Sequence, residues 1–330
     1  MSELVVDIAG IRAAALKLAG RVVNTPLLES PLLNEQLGVR VLFKAECLQT
    51  TGSFKLRGAT HKLLGLDTEQ LRRGVVAYSS GNHAQGVAAA ARASGISAKI
   101  VIPKDAPALK IANTRAYGAE VLLYDRYTES REAIGQAIAE TEGRTLVPPY
   151  DDPAVIVGQG TVGLEVAETL AERGVQADAL FCPCGGGGLM AGVATAMRAL
   201  SPLTALYAVE PEGFDDTARS LVSGQRETNP VQGGSICDSI VTPQPGGITF
   251  PINQQHRVVG EVVSEAAVIA AMQWVFGYLK LVVEPGGVVG LAAVLAARQQ
   301  LIGRTVVVIL SGGNVDPEHF SAYLRSVRSE

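Results

Sequence analysis

Thr50-Thr51-Gly52-Ser53-Phe54-Lys55-Leu56-Arg57-Gly58 lies between an apolar run, Val41-Leu42-Phe43, and an amphipathic segment over 55–66. The run reads as a strand and the segment as a helix. Lys55 therefore stands where a turn of small residues enters a helix. Such a turn lets backbone approach a ligand, and the helix start offers unbonded N–H groups to an anion. A lysine desolvated there sheds its proton and becomes a nucleophile or a Schiff-base former. The bland alternative is a solvated lysine on a first helical turn, and the rest of the chain decides between the two.

Outward from this stretch, apolar strands alternate with helices. A helix over 6–18 and an extended turn at Asn24-Thr25-Pro26-Leu27 precede the strand 41–45. Strands are expected at 75–78, 98–102, 121–124 and 146–147, with helices at 83–93, 108–117 and 130–142 between them. Pro148-Pro149-Tyr150-Asp151-Asp152-Pro153 continues no element and reads as an internal boundary. Beyond it come helices at 162–173, 189–200, 265–279 and 290–300, a weak one at 215–221, and a closing one from Pro317. Strands fall at 179–182, 206–209 and 305–310, and 226–249 is a long Gly-, Pro- and Ser-rich loop of the kind that is functional or mobile. Strands this apolar, alternating with helices, predict an α/β protein with mostly parallel sheets covered on both faces. The expected division is a small domain over 74–147 and a large one made of 1–73 and 148–330. The site is expected in the cleft between them, at the carboxyl ends of strands.

Composition excludes several classes. The chain has 330 residues, 47% of them hydrophobic, and a net charge of −4 with no basic run, so nothing points to nucleic acid or an anionic membrane. No apolar run approaches the ~20 residues of a membrane span, and the acidic start lacks the basic region of a signal peptide. Cys47, Cys182, Cys184 and Cys237 lack zinc-site spacing and read as reduced thiols of a cytoplasmic protein.

Three further turns of small residues end strands. In Cys184-Gly185-Gly186-Gly187-Gly188-Leu189, four glycines supply no packing; a run of exposed N–H groups entering a helix explains them as a phosphate cradle. The rival reading takes Gly186, Gly188 and Ala191 as G-x-G-x-x-A with Glu210 as the ribose acid, which would make a dinucleotide-dependent oxidoreductase. It leaves Lys55 and the other turns without work. Ser79-Ser80-Gly81-Asn82-His83 offers donors to a small anion such as a carboxylate, although Asn or Ser there also serves as a helix cap. Ser311-Gly312-Gly313-Asn314 closes the last strand. A phosphate cradle, a Schiff-base lysine and carboxylate donors together suggest pyridoxal phosphate acting on an amino acid.

Along nearly its whole length, from Thr25-Pro26-Leu27 to Ser311-Gly312-Gly313-Asn314-Val315, the chain resembles the threonine/serine dehydratases and their relatives, the serine racemases and hydroxyaspartate dehydratases. Gly158-Gln159-Gly160-Thr161 and Val283-Glu284-Pro285 look like further family segments. The resemblance implies a fold type II pyridoxal-phosphate enzyme: two open twisted parallel-sheet domains with helices on both faces. It implies that Lys55 bonds pyridoxal 5'-phosphate and takes the α-proton, and that Phe54 packs on the cofactor ring. It assigns Asn82 to the phenolic oxygen, Gly185, Gly186, Gly187 and Gly188 to the phosphate, and Ser311 to the pyridine nitrogen. Ser79 and His83 would help hold the substrate carboxylate, with Ser80 on the opposite substrate face. Glu210, Asp216 and the carbonyl of Phe214 match a site for Mg²⁺ or Ca²⁺.

The chain departs from the pattern at Phe214 and Val288, where small residues are common, and at Ser239, where glycine is frequent. The sequence ends soon after Asn314, and the regulatory domain of biosynthetic threonine deaminases is therefore not expected. The expected activity is L-threonine to 2-oxobutyrate and L-serine to pyruvate with release of ammonia, by a homodimer. Serine racemisation or hydroxyaspartate dehydration is the alternative, and a non-catalytic ligand-binding relative is a more distant one.

Overall fold

Two sheets carry the chain, and every strand of the smaller one lies within 74–147. The computed structural model describes residues 6–79, 81–230 and 234–326. The chain opens with α1 (Ile8–Leu18), β1 (Leu27–Glu29), α2 (Pro31–Leu37) and β2 (Arg40–Ala45), then a single 3₁₀ turn, Glu46–Leu48. After α3 (Lys55–Leu64) and α4 (Thr68–Arg73) come β3 (Val75–Tyr78), α5 (Asn82–Ala93), β4 (Ala98–Pro103), α6 (Ala108–Ala116), β5 (Glu120–Tyr124), α7 (Arg131–Glu142) and β6 (Thr145–Leu146). The chain then crosses back through α8 (Pro153–Glu172), β7 (Ala179–Pro183), α9 (Gly188–Leu200), β8 (Ala205–Pro211) and α10 (Asp216–Ser223). It ends with α11 (Thr249–Gln255), β9 (Val259–Val263), α12 (Glu265–Leu279), α13 (Pro285–Ala296), α14 (Arg298–Leu301), β10 (Thr305–Leu310) and α15 (Pro317–Arg325).

The larger sheet has the order β1-β2-β10-β7-β8-β9 and the smaller β5-β4-β3-β6. Every pairing is parallel except β1 with β2. Parallel strands need both faces covered, and the burial follows. Val306, Val308 and Leu310 of β10 pack under α12 and α13, while Val307 and Ile309 face α8 and α9. That alternation gives each central strand two apolar faces.

Most elements stand where the hydrophobic pattern puts them; the differences have local causes. The helix expected at 162–173 begins at Pro153, because Asp152 caps it through Ala154 N and Val155 N and proline suits the first helical position. Gly158, Gly160 and Gly163 lie inside it, where helices touch. A Cβ on Gly158 would come within 2.7 Å of Gly58 Cα, and one on Gly163 within 2.8 Å of Val193 Cα. The helix expected from Gly290 likewise starts at Pro285. The 24–27 turn runs into a three-residue strand, β1. The short elements α2, α4, α11 and β9 carry too little periodicity to stand out in the sequence.

Because β2, β7 and β10 run parallel in the larger sheet, their carboxyl ends lie on one side of it, and residues after them share one cleft with Ser79 at the end of β3. From these ends come the Thr50, Ser79, Gly185 and Ser311 turns.

Candidate active site

The Lys55 turn is built against the end of β10. Phe54 N donates to Ser311 O at 3.1 Å, and Gly313 N donates to Gly52 O at 2.8 Å. Gly52 has φ +70°, and a Cβ there would come within 2.6 Å of Asn314 Oδ1, so only glycine suits the turn. Lys55 opens α3, and its Nζ donates to Pro149 O at 2.6 Å. Burial, with a smaller contribution from the charge of Arg131, lowers its pKa to about 8. A lysine so placed has a sizeable neutral fraction near neutral pH. Phe54 lies beside it, with Nζ 5.2 Å from the ring centroid.

Across the cleft, Gly185, Gly186 and Gly187 link β7 to α9. Their N–H groups donate to no described acceptor, so the loop presents a row of free donors at a helix start. The lack of side chains is enforced: a Cβ on Gly186 would come within 2.3 Å of the Tyr150 ring, and one on Gly185 within 2.9 Å of Ile240 O. The Ser311 hydroxyl lines the same cleft and is engaged by no described residue.

The turn after β3 forms the third wall. Ser79 Oγ accepts from Gly81 N at 3.1 Å. Asn82 Nδ2 donates to Glu284 Oε1 at 2.5 Å and its Oδ1 accepts from Asn314 Nδ2 at 2.9 Å. That fixes the amide plane and leaves one N–H of Nδ2 for a ligand oxygen. His83 is held differently from expectation: Nε2 donates to Val147 O at 2.8 Å. Burial and the nearby Lys55 charge push its pKa down to about 3. The ring is therefore neutral with a lone pair on Nδ1, and it offers a carboxylate nothing. The backbone N–H groups that open α5 are the donors this turn presents. Ser80 lies outside the described residues.

Glu210 and Asp216 are both buried. Glu210 accepts from Thr217 N at 3.1 Å and Ala218 N at 2.8 Å. Asp216 Oδ1 accepts from Asn229 Nδ2 at 2.6 Å, while Oδ2 is buried without a partner. Burial, reinforced by the neighbouring Asp216, raises the Glu210 pKa; burial lifts that of Asp216 to about 7. The Phe214 carbonyl accepts no hydrogen bond from a described residue. Two reluctant carboxylates and a free carbonyl match the oxygen donors of a hard cation. Among the described residues no group of three or more acidic, His or Cys side chains gathers to hold a metal. Both Glu210 oxygens are taken by amides at the start of α10, which leaves little of the carboxylate for a ribose hydroxyl.

The sequence reading missed the 147–152 connection and Arg131. Within six residues the connection supplies the His83 acceptor (Val147 O), the Lys55 acceptor (Pro149 O) and the ring over Gly186 (Tyr150). Asp151 accepts from Gly247 N and Ile248 N at 2.9 and 2.8 Å, and Asp152 pairs with Lys62 at 2.6 Å. Two prolines and two acids signalled a boundary, and nothing in them signalled contact with the glycine loop. Arg131 opens α7 and lines the cleft, its guanidinium 5.6 Å from the Tyr78 ring centroid. Nε donates to Glu132 at 2.7 Å, and the terminal nitrogens have no described partner.

A buried lysine with a depressed pKa, a free-amide cradle and an unengaged Ser311 hydroxyl face one cleft, and this donor set accommodates the aldehyde, phosphate and pyridine nitrogen of pyridoxal phosphate. Comparison with known proteins agrees. The family described as pyridoxal-phosphate dependent enzyme matches residues 18–312. An L-threo-3-hydroxyaspartate ammonia-lyase from Pseudomonas sp is 46% identical over 94% of this chain and 96% of its own length. A serine racemase from Schizosaccharomyces pombe is 39% identical over 96% of each. The crystal structure of a threonine deaminase from T.th. superposes with a TM-score of 0.88 at 46% identity, over 94% of this chain and 99% of that one. The dinucleotide reading is set aside, and the chain belongs to the pyridoxal-phosphate dependent enzymes, among relatives named ammonia-lyases, deaminases and racemases.

Proposed function

We propose that the chain is an ammonia-lyase that dehydrates an L-β-hydroxy amino acid, with 3-hydroxyaspartate as its preferred substrate. The observation that carries the substrate choice is Arg131. Arg131 lines the cleft that holds Lys55, and its terminal nitrogens have no described hydrogen-bond partner. A planar fork of donors suits a second carboxylate, and a substrate with only a methyl or hydrogen there leaves the terminal nitrogens of Arg131 without one, although Nε stays paired with Glu132. The Pseudomonas relative named for hydroxyaspartate supports the same reading. L-threonine and L-serine, with 2-oxobutyrate and pyruvate as products, are the second reading. Ile240 and Val241 on the cleft wall favour it, since they suit a methyl group.

The α5 N–H groups and Ser79 hold the substrate α-carboxylate, and Asn82 and Ser311 orient the ring. Bound pyridoxal phosphate supplies the electron sink for charge developing at the α-carbon. Lys55 Nζ takes the α-proton; its pKa of about 8 suits a base at neutral pH. Pro149 and Tyr150 screen the lysine from water. Ser80, outside the described residues, would govern any racemisation. Glu210, Asp216 and the Phe214 carbonyl would hold Mg²⁺ or Ca²⁺.

We read 74–147 as a small domain that carries Arg131 and the substrate turn, and 1–73 with 148–330 as the large one. A cytoplasmic location fits four free cysteines, and the assembly we propose is a homodimer. The test is kcat/KM for L-threo-3-hydroxyaspartate, L-threonine and L-serine. The dicarboxylate should lead, and Arg131→Met should lower its value about 100-fold while L-serine changes little. Equal losses for both substrates would remove Arg131 from the specificity argument.

A further inference from the structure

A glycine run presents amides well but holds its own peptide planes poorly, because glycine crosses φ/ψ space so freely. Something outside the loop must decide which way the planes face. The carbonyl of Gly186 receives two hydrogen bonds, from Thr249 Oγ1 at 2.6 Å and from Gly246 N at 3.2 Å. Thr249 is fully buried and absent from the cleft lining, so the carbonyl is held on the side away from the cleft. In a trans peptide the C=O of one residue and the N–H of the next point opposite ways. Pinning Gly186 O therefore turns the Gly187 N–H toward the cleft, where it has no described acceptor. Gly187 is left-handed, with φ +88°, and a Cβ there would come within 2.8 Å of the same Thr249 oxygen. Thr249 is in turn anchored by Asp151, which accepts from the amides of Gly247, Ile248 and, at 3.4 Å, Thr249 itself.

We propose that Thr249, anchored by Asp151, is a positioning residue for the anion site: its hydroxyl fixes the Gly186–Gly187 peptide plane so that an N–H, not a carbonyl, meets the cofactor phosphate. The proposal rests on reading Gly185–Gly188 as the phosphate cradle. Thr249→Val keeps the shape and removes the donor. The freed plane can then rotate its carbonyl toward the phosphate and repel it.

The experiment strips the full chain of cofactor with a carbonyl reagent. It then titrates the chain, by equilibrium dialysis, with pyridoxal phosphate and with pyridoxal, which lacks the phosphate. The parent should bind the phosphate form much more tightly. In Thr249→Val that preference should fall about 3- to 10-fold with pyridoxal affinity unchanged. Thr249→Ser should restore it, and the ³¹P resonance of the bound cofactor should move in the Val variant alone. Asp151→Asn, which keeps one acceptor oxygen, should give a smaller fall and serves if the Val variant does not fold. Equal weakening of both ligands would make Thr249 merely structural, and an unchanged preference would also overturn the proposal. A parent with no preference for the phosphate form would defeat the cradle reading itself, a result separable from either.

Discussion

Arg57, two residues beyond Lys55, is the largest fully buried side chain among the described residues and the best place to perturb the frame of the site. Its guanidinium donates to both oxygens of Glu46 at 2.8 Å and to both of Glu165 at 2.6 and 2.8 Å. It also reaches Thr161 Oγ1 at 3.2 Å and Val23 O at 3.1 Å. Glu46 is itself 0% exposed. Arg57→Met keeps much of the stem and deletes all six bonds, leaving Glu46 with Thr25 and the nearby Lys44. Breaking one side of a buried pair costs about 3–5 kcal/mol, because the remaining charge is uncompensated. For a chain of 330 residues, at about 1.5 °C per kcal/mol, this corresponds to a fall in Tm of about 5–7 °C.

The pH dependence gives the sharper check. In the parent, burial pushes the Glu46 pKa up, but the Arg57 charge and hydrogen bonds outweigh it and hold the group below the ordinary carboxylate range. That contribution is fully present above the unfolded value and is lost only as pH falls through the folded one. In the variant, burial dominates and Glu46 titrates high, so the deficit is largest at pH 7 and shrinks toward pH 5 as the carboxyl takes a proton. Urea unfolding and thermal melts at pH 5, 6 and 7 measure it, and Arg57→Met with Glu46→Gln should recover part of the loss. A deficit under about 1 kcal/mol at pH 7, or one that widens on acidification, would refute the reasoning.

Two further outcomes follow from buried titrating groups. Lys55→Met should abolish lyase activity and the borohydride-reducible visible absorption. Its cofactor-free form should be more stable than the cofactor-free parent by about 3 kcal/mol at pH 7, since burial lowers the lysine pKa from 10.5 to about 8. This difference should fade as pH rises through that window, as melts between pH 7 and 10.5 would record. Ca²⁺ or Mg²⁺ should raise the Tm of chelator-treated protein more at pH 8 than at pH 6, because Asp216, with a pKa of about 7, holds a proton at the lower pH; a shift independent of pH would remove Asp216 from the cation site.

The strand-end turns were legible because small residues interrupt strongly apolar strands, and Lys55 stood out for the same reason. Arg131 was illegible: on its own helix it is an ordinary first-turn cation, and only the pairing of the smaller sheet brings it to the cleft. Thr249 sat in a stretch of glycine and proline where no period shows, and its role depends on a contact with Gly186 far away in sequence. The first nine residues of α8 were hidden by their glycines, which read as poor helix formers although they mark close contact with α3 and α9. His83 was legible as part of the turn but not in its orientation, since the carbonyl of Val147 that claims it belongs to another element.

These omissions converge on one segment. The connection over 147–152 is the path by which the smaller sheet returns to the larger, and backbone on such a path must satisfy its polar groups somewhere. Here the Val147 carbonyl goes to His83 and the Pro149 carbonyl to Lys55, while the Asp151 carboxylate holds the loop behind the glycines. Pro148 and Pro149 have no N–H to satisfy and a fixed φ, so the segment can run through the site as a stiff strap. Tyr150 fills the space that the glycines leave, which explains why Gly186 and Gly188 can be nothing larger. Lys55, the glycine loop and the turn after β3 are thus each positioned against the same few residues. The site is more than a meeting of strand ends: one connection touches the lysine, the glycine loop and the turn after β3.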